Sequence, residues 1–360
     1  MEKLLLGPGP SNLTQEVRRG LSQPAIGHLD PEFLAILDET CDLLRWIFKT
    51  DNKVTFPLTA SGSGAMEATA MNLVEDGTKV VIGINGAFSL RAKEMLSRLG
   101  AQVIEVLSPW GSPLDIDEIN KAVKIHKPQI LWLVHGETST GVLNSVESVK
   151  KEESIFVVDC VTSLGGVDFR MDEWGIDVAF SGTQKCLNVP PGLAPISFSS
   201  QAMEVLKPSK SWYFDLSLIA EYILSDGPRT YHHTAPINMI FGLLASLKRI
   251  KSIGLDDVFI QHLNAAEFLY SKFEKMGFDL VVDRKFRLPQ LTTVYIPEDL
   301  RSKETNIRSR LLNDFNIEIG GGLGVLANKI WRIGLMGINA NIKNVELLID
   351  SLNQLLNECN

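Results

Sequence analysis

Three segments of the sequence carry residue types that could bind and transform a small molecule. The first is the glycine-rich run Ser61-Gly62-Ser63-Gly64, which leads into a helix-forming stretch that ends at Leu73. Small residues let backbone N–H groups close around an anion, and the helix start adds the positive end of its dipole. The run predicts a phosphate-binding loop. It lacks the third glycine of the dinucleotide motif and the lysine of the P-loop, so by itself it fits an ordinary helix-capping loop equally well.

The other two segments place an acid and an amine after apolar strands. Asp159 follows residues 155–158, a position at which open α/β sheets bind ligands. Lys185 follows residues 177–180 and lies in a small, polar turn. A lysine in such a site can lose its proton and form a Schiff base. Each residue alone also has an ordinary explanation, since turns commonly contain aspartate and most lysines are simply solvated.

Together the three segments specify one ligand. The loop would bind a phosphate, Lys185 an aldehyde, and Asp159 a ring nitrogen that it keeps protonated. Pyridoxal 5′-phosphate carries all three groups, and its protonated ring is an electron sink for a substrate carbanion. The combination therefore predicts pyridoxal phosphate as the cofactor. No metal is expected, because the adjacent His232 and His233 cannot easily share one face of an element and no Cys or Asp close in sequence completes a ligand set.

The scaffold for these residues is predicted to be an α/β fold. From about residue 51 to residue 198, short runs rich in Val and Ile alternate with helix-length amphipathic stretches. Several of the runs are apolar throughout, which is typical of a mostly parallel sheet covered by helices on both faces. The predicted strands are 79–84, 102–107, 129–134, 155–158, 177–180 and 193–198.

The flanking regions complete the predicted organisation. Asp30 and Pro31 form an N-cap and first-turn pair that opens an amphipathic helix. After about residue 251 the pattern changes to a long helix, a strand over 292–296, a helix over 306–315, a strand over 316–319 and a final amphipathic helix. We expect an extended N-terminal arm (1–12), a large cofactor-binding domain (13–250) and a smaller C-terminal α+β domain (251–360).

Composition limits the partners. The 360 residues include 35 Lys and Arg against 43 Asp and Glu, a net charge of −8 that is scattered along the chain. Such a charge disfavours nucleic acid and an anionic membrane surface. The four cysteines form no CxxC pair, and no N-terminal apolar run is long enough for a signal peptide, so we expect a cytoplasmic protein with reduced thiols.

Longer segments add a family resemblance. The sequence resembles the class V aminotransferases, fold type I enzymes that depend on pyridoxal phosphate, and above all their alanine–glyoxylate and serine–pyruvate branch. The matching segments span nearly the whole chain in family order. They are LLLGPGPSN from Leu4, SGSGAMEA from Ser61, NGAF from Asn85, HGETSTGV from His135, VDCVTSLGG from Val158, SGTQKCLNVPPG from Ser181, YHHTAP from Tyr231, IEIGGGLG from Ile317 and WRIGLMG from Trp331.

The resemblance implies a role for each matching residue. Lys185 would form the Schiff base with the cofactor and Asp159 would pair with its ring nitrogen, and both are the implied catalytic residues. Arg332 would bind the substrate carboxylate through its guanidinium fork, although without the family it would pass for a surface charge. The residues implied in cofactor binding are Ser63, Gly64, Ala65, Phe88, Thr138, Asp159, Val161, Gln184, Lys185, Tyr231 and Thr234.

Within that set the implied positions differ. Ser63, Gly64 and Gln184 would hold the phosphate, with Ala65 beside them. Tyr231 and Thr234 would reach the phosphate in the partner subunit, which implies a homodimer with shared active sites.

Three further residues would surround the ring. Phe88 would stack on one face and Val161 would lie against the other, while Thr138 would sit near the ring hydroxyl. Each also has a purely structural explanation: core packing for Phe88, a turn for Thr138 and strand-end packing for Val161.

The implied activity belongs to amino acid metabolism. We expect a ping-pong transamination from alanine or serine to glyoxylate or pyruvate, with Lys185 moving a proton between the substrate α-carbon and the cofactor. The small residues of 320–324 suit short side chains if that run borders the site. The alternatives are a ureidoglycine–glyoxylate aminotransferase, a cysteine desulfurase, for which Cys359 is poorly placed, and a non-catalytic protein of the same fold.

Overall fold

The computed structural model describes residues 2–224 and 229–359. Its strands are β1 (Leu4–Leu6), β2 (Val54–Leu58), β3 (Lys79–Ile84), β4 (Gln102–Leu107), β5 (Ile130–Val134), β6 (Gly136–Glu137), β7 (Val142–Leu143), β8 (Ile155–Asp159), β9 (Val178–Phe180), β10 (Ala194–Phe198), β11 (Leu291–Tyr295), β12 (Ile317–Gly321) and β13 (Ile330–Gly334). Its helices are α1 (Gln15–Leu21), α2 (Pro31–Phe48), α3 (Gly62–Leu73), α4 (Ala87–Arg98), α5 (Ile116–His126), α6 (Ser200–Glu204), α7 (Leu216–Leu224), α8 (Ile237–Ile253), α9 (Leu255–Lys275), α10 (Glu298–Arg301), α11 (Glu304–Phe315) and α12 (Ile342–Cys359). Within these ranges, no helix combines the length with the hydropathy that crossing a membrane requires.

A seven-stranded sheet in the described chain organises the larger part of the molecule. Its strand order is β2-β10-β9-β8-β5-β3-β4, and all neighbours from β9 to β4 are parallel. Strand β10 runs antiparallel to both β9 and β2. The register aligns Asp159 with Val134 on one side and with Phe180 on the other. The predicted α/β class with a mostly parallel sheet is confirmed.

Burial explains why these segments become strands. Every residue of β5 and β8 is buried, as expected where helices cover both faces of a sheet. The edge strand β4 instead alternates between exposed and partly buried positions. The other edge strand, β2, was not predicted; it pairs antiparallel with β10, so that Pro57 lies opposite Pro195.

The predicted helix after Asp30 is present as α2. The Asp30 side chain accepts a hydrogen bond from the Glu32 N–H at 2.8 Å, and Pro31 occupies the first turn, where its missing N–H costs nothing. The apolar face of α2 is buried against the large sheet and α8. Asp30 therefore fixes where the helix begins, and its apolar stripe fixes which side faces the core.

A second sheet holds the C-terminal part, with the order β1-β12-β13-β11. Strand β1 comes from the N-terminus and pairs in parallel with β12, so that Leu4 is opposite Ile317. Part of the expected arm is thus an edge strand of the C-terminal sheet. The domain limits themselves stay predictions; the expected limit at 250/251 falls inside α8, which ends at Ile253.

Candidate active site

The glycine-rich run forms the start of α3. Ser61 is the N-cap, and its Oγ accepts a hydrogen bond from the Gly64 N–H at 3.4 Å. Gly62 has no room for a side chain, because a Cβ there would lie 2.9 Å from Cγ2 of Val161. The close approach brings the helix start against the loop that follows Asp159. The N–H groups of the first turn have no partners within the helix and can bind an anion.

Asp159 ends β8 and is 3% exposed. Burial raises the pKa of its carboxyl to about 7, against the hydrogen bond that its Oδ1 accepts from the Val161 N–H at 2.9 Å. The charge of Glu137 contributes to this raised pKa, and that of Lys185 opposes it. A carboxylate in such a place is stabilised by a cation. A protonated ring nitrogen would supply one.

Lys185 is also buried, with 8% of the residue exposed. Burial, with a smaller contribution from the charge of Arg332, lowers the pKa of its amine to about 8. Its Nζ donates a hydrogen bond to the carbonyl oxygen of Pro8. Because only an unprotonated amine attacks an aldehyde, the lowered pKa makes Lys185 a better nucleophile than a solvated lysine.

The N-terminal arm covers Lys185 closely. Gly9 has a φ of 100°, and a Cβ there would lie 2.7 Å from Nζ of Lys185. Gly320 would similarly bring a Cβ to 2.6 Å from Cδ of Pro8. Gly320 is therefore required for space. Gly9 is required both for space and for its left-handed backbone conformation. The sequence motif GPGP belongs to the site and is more than a connector.

A cavity of about 230 Å³, which we call the Lys185 cavity, joins these features. Its lining residues are Ser61, Gly62, Ser63, Met66, Phe88, Arg91, Gly136, Thr138, Asp159, Val161, Thr162, Gln184 and Lys185. Seven of the residues implied in cofactor binding thus lie around one cavity. The structure places Gly64 and Ala65 next to it in the first turn of α3.

Arg332 reaches the site from the second sheet. It lies on β13, a strand that was not predicted, and is 7% exposed. Its Nε donates to the carbonyl oxygen of Gly321 at 2.7 Å, and its Nη1 donates to that of Thr138 at 3.4 Å. Burial lowers the pKa of the guanidinium to about 10, which still leaves it charged at neutral pH. The arginine therefore connects the glycine run of β12 with the wall of the Lys185 cavity.

Tyr231 and Thr234 lie outside the lining of the Lys185 cavity. Their hydroxyl oxygens are 3.2 Å apart, and Tyr231 is 55% exposed. The neighbouring His232 and His233 bond to each other through Nδ1 atoms 2.8 Å apart. Over residues 2–224 and 229–359, no three His, Cys, Asp or Glu side chains cluster as metal ligands would. The implied reach of Tyr231 and Thr234 into a partner subunit stays a prediction.

Sequence reasoning missed the buried acid Glu137, which is 0% exposed. Its Oε2 accepts hydrogen bonds from the N–H groups of Phe88 and Ser89, both at 3.2 Å. Its Oε1 accepts from the Ser139 hydroxyl at 2.6 Å. Burial nevertheless raises the pKa of Glu137. The available signal was a lone acid three residues beyond an apolar strand, within the same matching segment as Thr138.

Solved structures identify the class of protein. The chain superposes on alanine–glyoxylate aminotransferase from Nostoc sp. with a TM-score of 0.95 and 43% identity, covering 99% of this chain and 96% of that one. It superposes on ureidoglycine–glyoxylate aminotransferase from Bacillus subtilis with a TM-score of 0.96 and 34% identity, covering 99% and 94%. The fold is that of the fold type I, pyridoxal phosphate-dependent transferases.

Sequence comparison narrows the class. The family model "Aminotransferase class-V" matches residues 12–348. Alanine–glyoxylate aminotransferase from Oryctolagus cuniculus is 40% identical over 367 residues, which cover 99% of this chain and 93% of that protein. The chain belongs to the class V aminotransferase family, and the resemblance seen in its sequence motifs is confirmed.

The residues of the Lys185 cavity fit the family's cofactor. Gln184 Oε1 is buried without a hydrogen-bond partner in the described chain, and rotation of the side-chain amide would exchange this oxygen for N–H donors that can bind a phosphate. The helix start at Ser63 provides donors for a phosphate, Lys185 an amine for an aldehyde, and Asp159 a carboxylate for a ring nitrogen. Pyridoxal phosphate is the cofactor of this enzyme.

Proposed function

We propose that this aminotransferase moves the amino group of alanine or serine to glyoxylate or pyruvate. The observation that carries the proposal is that Pro8 and Gly9 lie tightly over Lys185. The same arm also reaches β13, the strand that holds Arg332. A Cβ at Gly334 would lie 1.9 Å from the carbonyl oxygen of Gly7, so the arm is packed directly on β13. A site covered this closely favours substrates with short side chains.

The chain's own groups have separate tasks in such a reaction. Arg332 would bind the substrate carboxylate; its 3.4 Å hydrogen bond to Thr138 is long, so the Nη1 donor is available for a better acceptor. Asp159 would hold the ring nitrogen in its protonated form, since a carboxylate stabilises a nearby cation. Bound pyridoxal phosphate supplies the electron sink for the negative charge that develops at the substrate α-carbon.

Lys185 is the base and the acid of the proposed mechanism. The Nζ of Lys185 would take a proton from the substrate α-carbon as the base and give it up again as the acid later in the reaction. A pKa of about 8 keeps a useful fraction of this amine unprotonated at neutral pH. The cover of Pro8 and Gly9 limits the water that can reach the exchanged proton.

The ureidoglycine reaction is the competing proposal. The structure named for it is less similar in sequence, at 34% identity, than the alanine–glyoxylate structure at 43%. A cysteine desulfurase would need a mobile cysteine near the end of the chain; Cys359 is the last position of α12, and its side chain lies outside the described residues. Intact Lys185, Asp159 and Arg332 disfavour a non-catalytic protein.

A homodimer is part of the proposal. Tyr231 is half-exposed, and the neighbouring Trp212 is 62% exposed while its ring stacks on His232 at 4.4 Å. Exposed aromatic groups around a segment implied in a partner's site suit an interface. Light scattering should give twice the chain mass, and a monomer with full activity would contradict shared active sites.

Half-reaction spectroscopy tests the function. The enzyme is mixed with alanine, serine, aspartate or ureidoglycine, and the absorbance of the bound cofactor is followed. We expect alanine or serine to convert it fastest, and glyoxylate or pyruvate to reverse the change. Lys185→Ala should abolish both steps, whereas Lys207→Ala, which removes an exposed lysine paired with Glu75, should leave them intact. A preference for ureidoglycine, or rejection of both oxo acids, would refute the proposed substrates.

A further inference from the structure

We propose that Arg91 is the cation that binds the cofactor phosphate and sets the preference for pyridoxal phosphate over pyridoxal. The residue lies on α4, one turn after Phe88, and was not among the residues implied by the sequence. Its Nη1 donates a hydrogen bond to Oγ of Ser63 at 2.9 Å. Arg91 thereby joins the helix of the stacking residue Phe88 to the phosphate-binding loop of α3. The inference rests on the cofactor site proposed above.

The guanidinium of Arg91 is held in place by the same ring that is implied in stacking. Its central carbon is 4.8 Å from the centroid of Phe88, within the range of a cation–π contact. Arg91 also lines the Lys185 cavity together with Ser63. A group stacked at one end and hydrogen-bonded at the other can present its remaining N–H donors to an anion with little loss of side-chain freedom.

Charge is the second argument. Arg91 forms no ion pair with any carboxylate of residues 2–224 and 229–359, although it is half-buried. The other cation that lines the Lys185 cavity is Lys185, whose amine is committed to the aldehyde. A phosphate monoester carries a charge of about −1.5 to −2 at neutral pH, and the backbone donors of α3 offer only the partial charge of a helix end. Arg91 supplies the full positive charge that the loop lacks.

The positive charge of Arg91 affects the pKa values of two other residues that line the Lys185 cavity. The charge of Arg91 contributes to lowering the pKa of both Asp159 and Lys185, although burial dominates in each case. No hydrogen bond or ion pair joins Arg91 to either residue in the described chain. Its guanidinium lines the same cavity as both, where a bound anion would feel its charge.

The test compares two ligands that differ only in the phosphate. Full-length apoprotein is prepared from the wild type, Arg91→Gln and Arg91→Lys, and equilibrium dialysis gives the affinity of each for pyridoxal phosphate and for pyridoxal. Arg98→Gln is the matched control, because Arg98 is an exposed cation at the end of the same helix and pairs with Glu94. Thermal unfolding of each apoprotein checks that the variants are folded.

We expect Arg91→Gln to weaken pyridoxal phosphate binding by about ten- to a hundredfold, as befits a lost charged hydrogen bond, and to leave pyridoxal binding unchanged. Arg91→Lys should lose less, because it keeps the charge, and Arg98→Gln should match the wild type. Equal weakening for both ligands, or no weakening for pyridoxal phosphate in either Arg91 variant, would overturn the role of Arg91. A wild type that binds both ligands equally would instead refute the phosphate site itself.

Discussion

The buried carboxylate of Glu137 accepts a hydrogen bond from the backbone N–H of Phe88 at 3.2 Å. Gly86 makes this contact possible, since a Cβ there would lie 2.3 Å from Cδ of Glu137. Glu137, which lies on β6, thus caps the first turn of α4 and fixes where the Phe88 ring lies. A side chain with no implied contact to the cofactor thereby positions the residue that is expected to stack on it.

Glu137→Gln should loosen the start of α4. An amide has one acceptor oxygen where the carboxylate has two, so at least one buried N–H or hydroxyl loses its partner, at a cost of about 1–3 kcal/mol. We expect weaker cofactor binding and a shifted absorption band of the bound cofactor, beyond the loss of stability. Glu147→Gln, a change of the same kind at an acid for which no ion pair is seen in the described chain, is the control. An unaltered cofactor spectrum in Glu137→Gln would contradict the positioning role.

Gly9→Ala should displace the N-terminal arm from Lys185. The residue has a φ of 100°, and its new Cβ would lie 2.7 Å from Nζ. Gly77→Ala is a matched control: it has a φ of 82°, but the nearest atom to its Cβ is 4.0 Å away. Both variants should lose about 1–2 kcal/mol of stability from the left-handed backbone. Only Gly9→Ala should also lower kcat/KM for alanine, and equal kinetics of the two would show that the arm does not shape the site.

The pKa of Lys185 predicts how cofactor capture depends on pH. Because burial and the charge of Arg332 lower this pKa to about 8, the reactive neutral amine should form as the pH rises through 8, well below the value of a free lysine near 10.4. The rate at which apoprotein binds pyridoxal phosphate, followed by stopped-flow absorbance, should therefore rise through that range and level off above it.

Arg332→Gln is the companion variant for this pH profile. Removing the positive charge should move the rise in capture rate to higher pH, because less repulsion then opposes protonation of Lys185. A rise that stays in place would show that Arg332 does not influence the amine. Lys93→Gln, which removes a partly exposed cation paired with Glu105, should leave the profile unchanged.

Arg332→Lys separates charge from geometry in substrate binding. An ammonium keeps the charge but cannot form two parallel hydrogen bonds with a carboxylate, so KM for alanine should rise about tenfold or more while cofactor affinity stays the same. Arg310→Lys on α11, whose guanidinium pairs with Asp314 and Glu358, serves as the control. A KM that changes equally in both variants would place the substrate carboxylate elsewhere.

Local patterns in the sequence were sufficient for most of the large sheet. The strands β3 and β4 match the predicted ranges 79–84 and 102–107, because short runs rich in Val and Ile between helix-length stretches are typical of an α/β sheet. The helix that follows Asp30 was predictable for a similar reason, since its cap and its apolar stripe are both local. Strands β2 and β13, in contrast, were not predicted.

The chemistry was also partly local. Lys185, Asp159 and the run from Ser61 to Gly64 could be recognised from the local sequence. Each follows a strand or begins a helix, and that position points its polar groups toward a ligand. The Schiff-base lysine and the glycine-rich loop required no knowledge of distant contacts. Their roles in this chain stay predictions, to be tested by the experiments above.

Tertiary structure alone decided which distant residues complete the site. Pro8 meets Lys185 across 177 positions of the chain, and Arg332 meets Thr138 across 194. The roles of Arg91 and Glu137 each depend on a hydrogen bond to another element: Arg91 to Ser63, and Glu137 to Phe88. Hydrophobic periodicity determines which face of each element is buried, but burial is non-directional and does not specify which polar side chains will converge. That convergence follows from strand order and from the packing of β1 on β12, because only the folded chain brings these elements within hydrogen-bond distance.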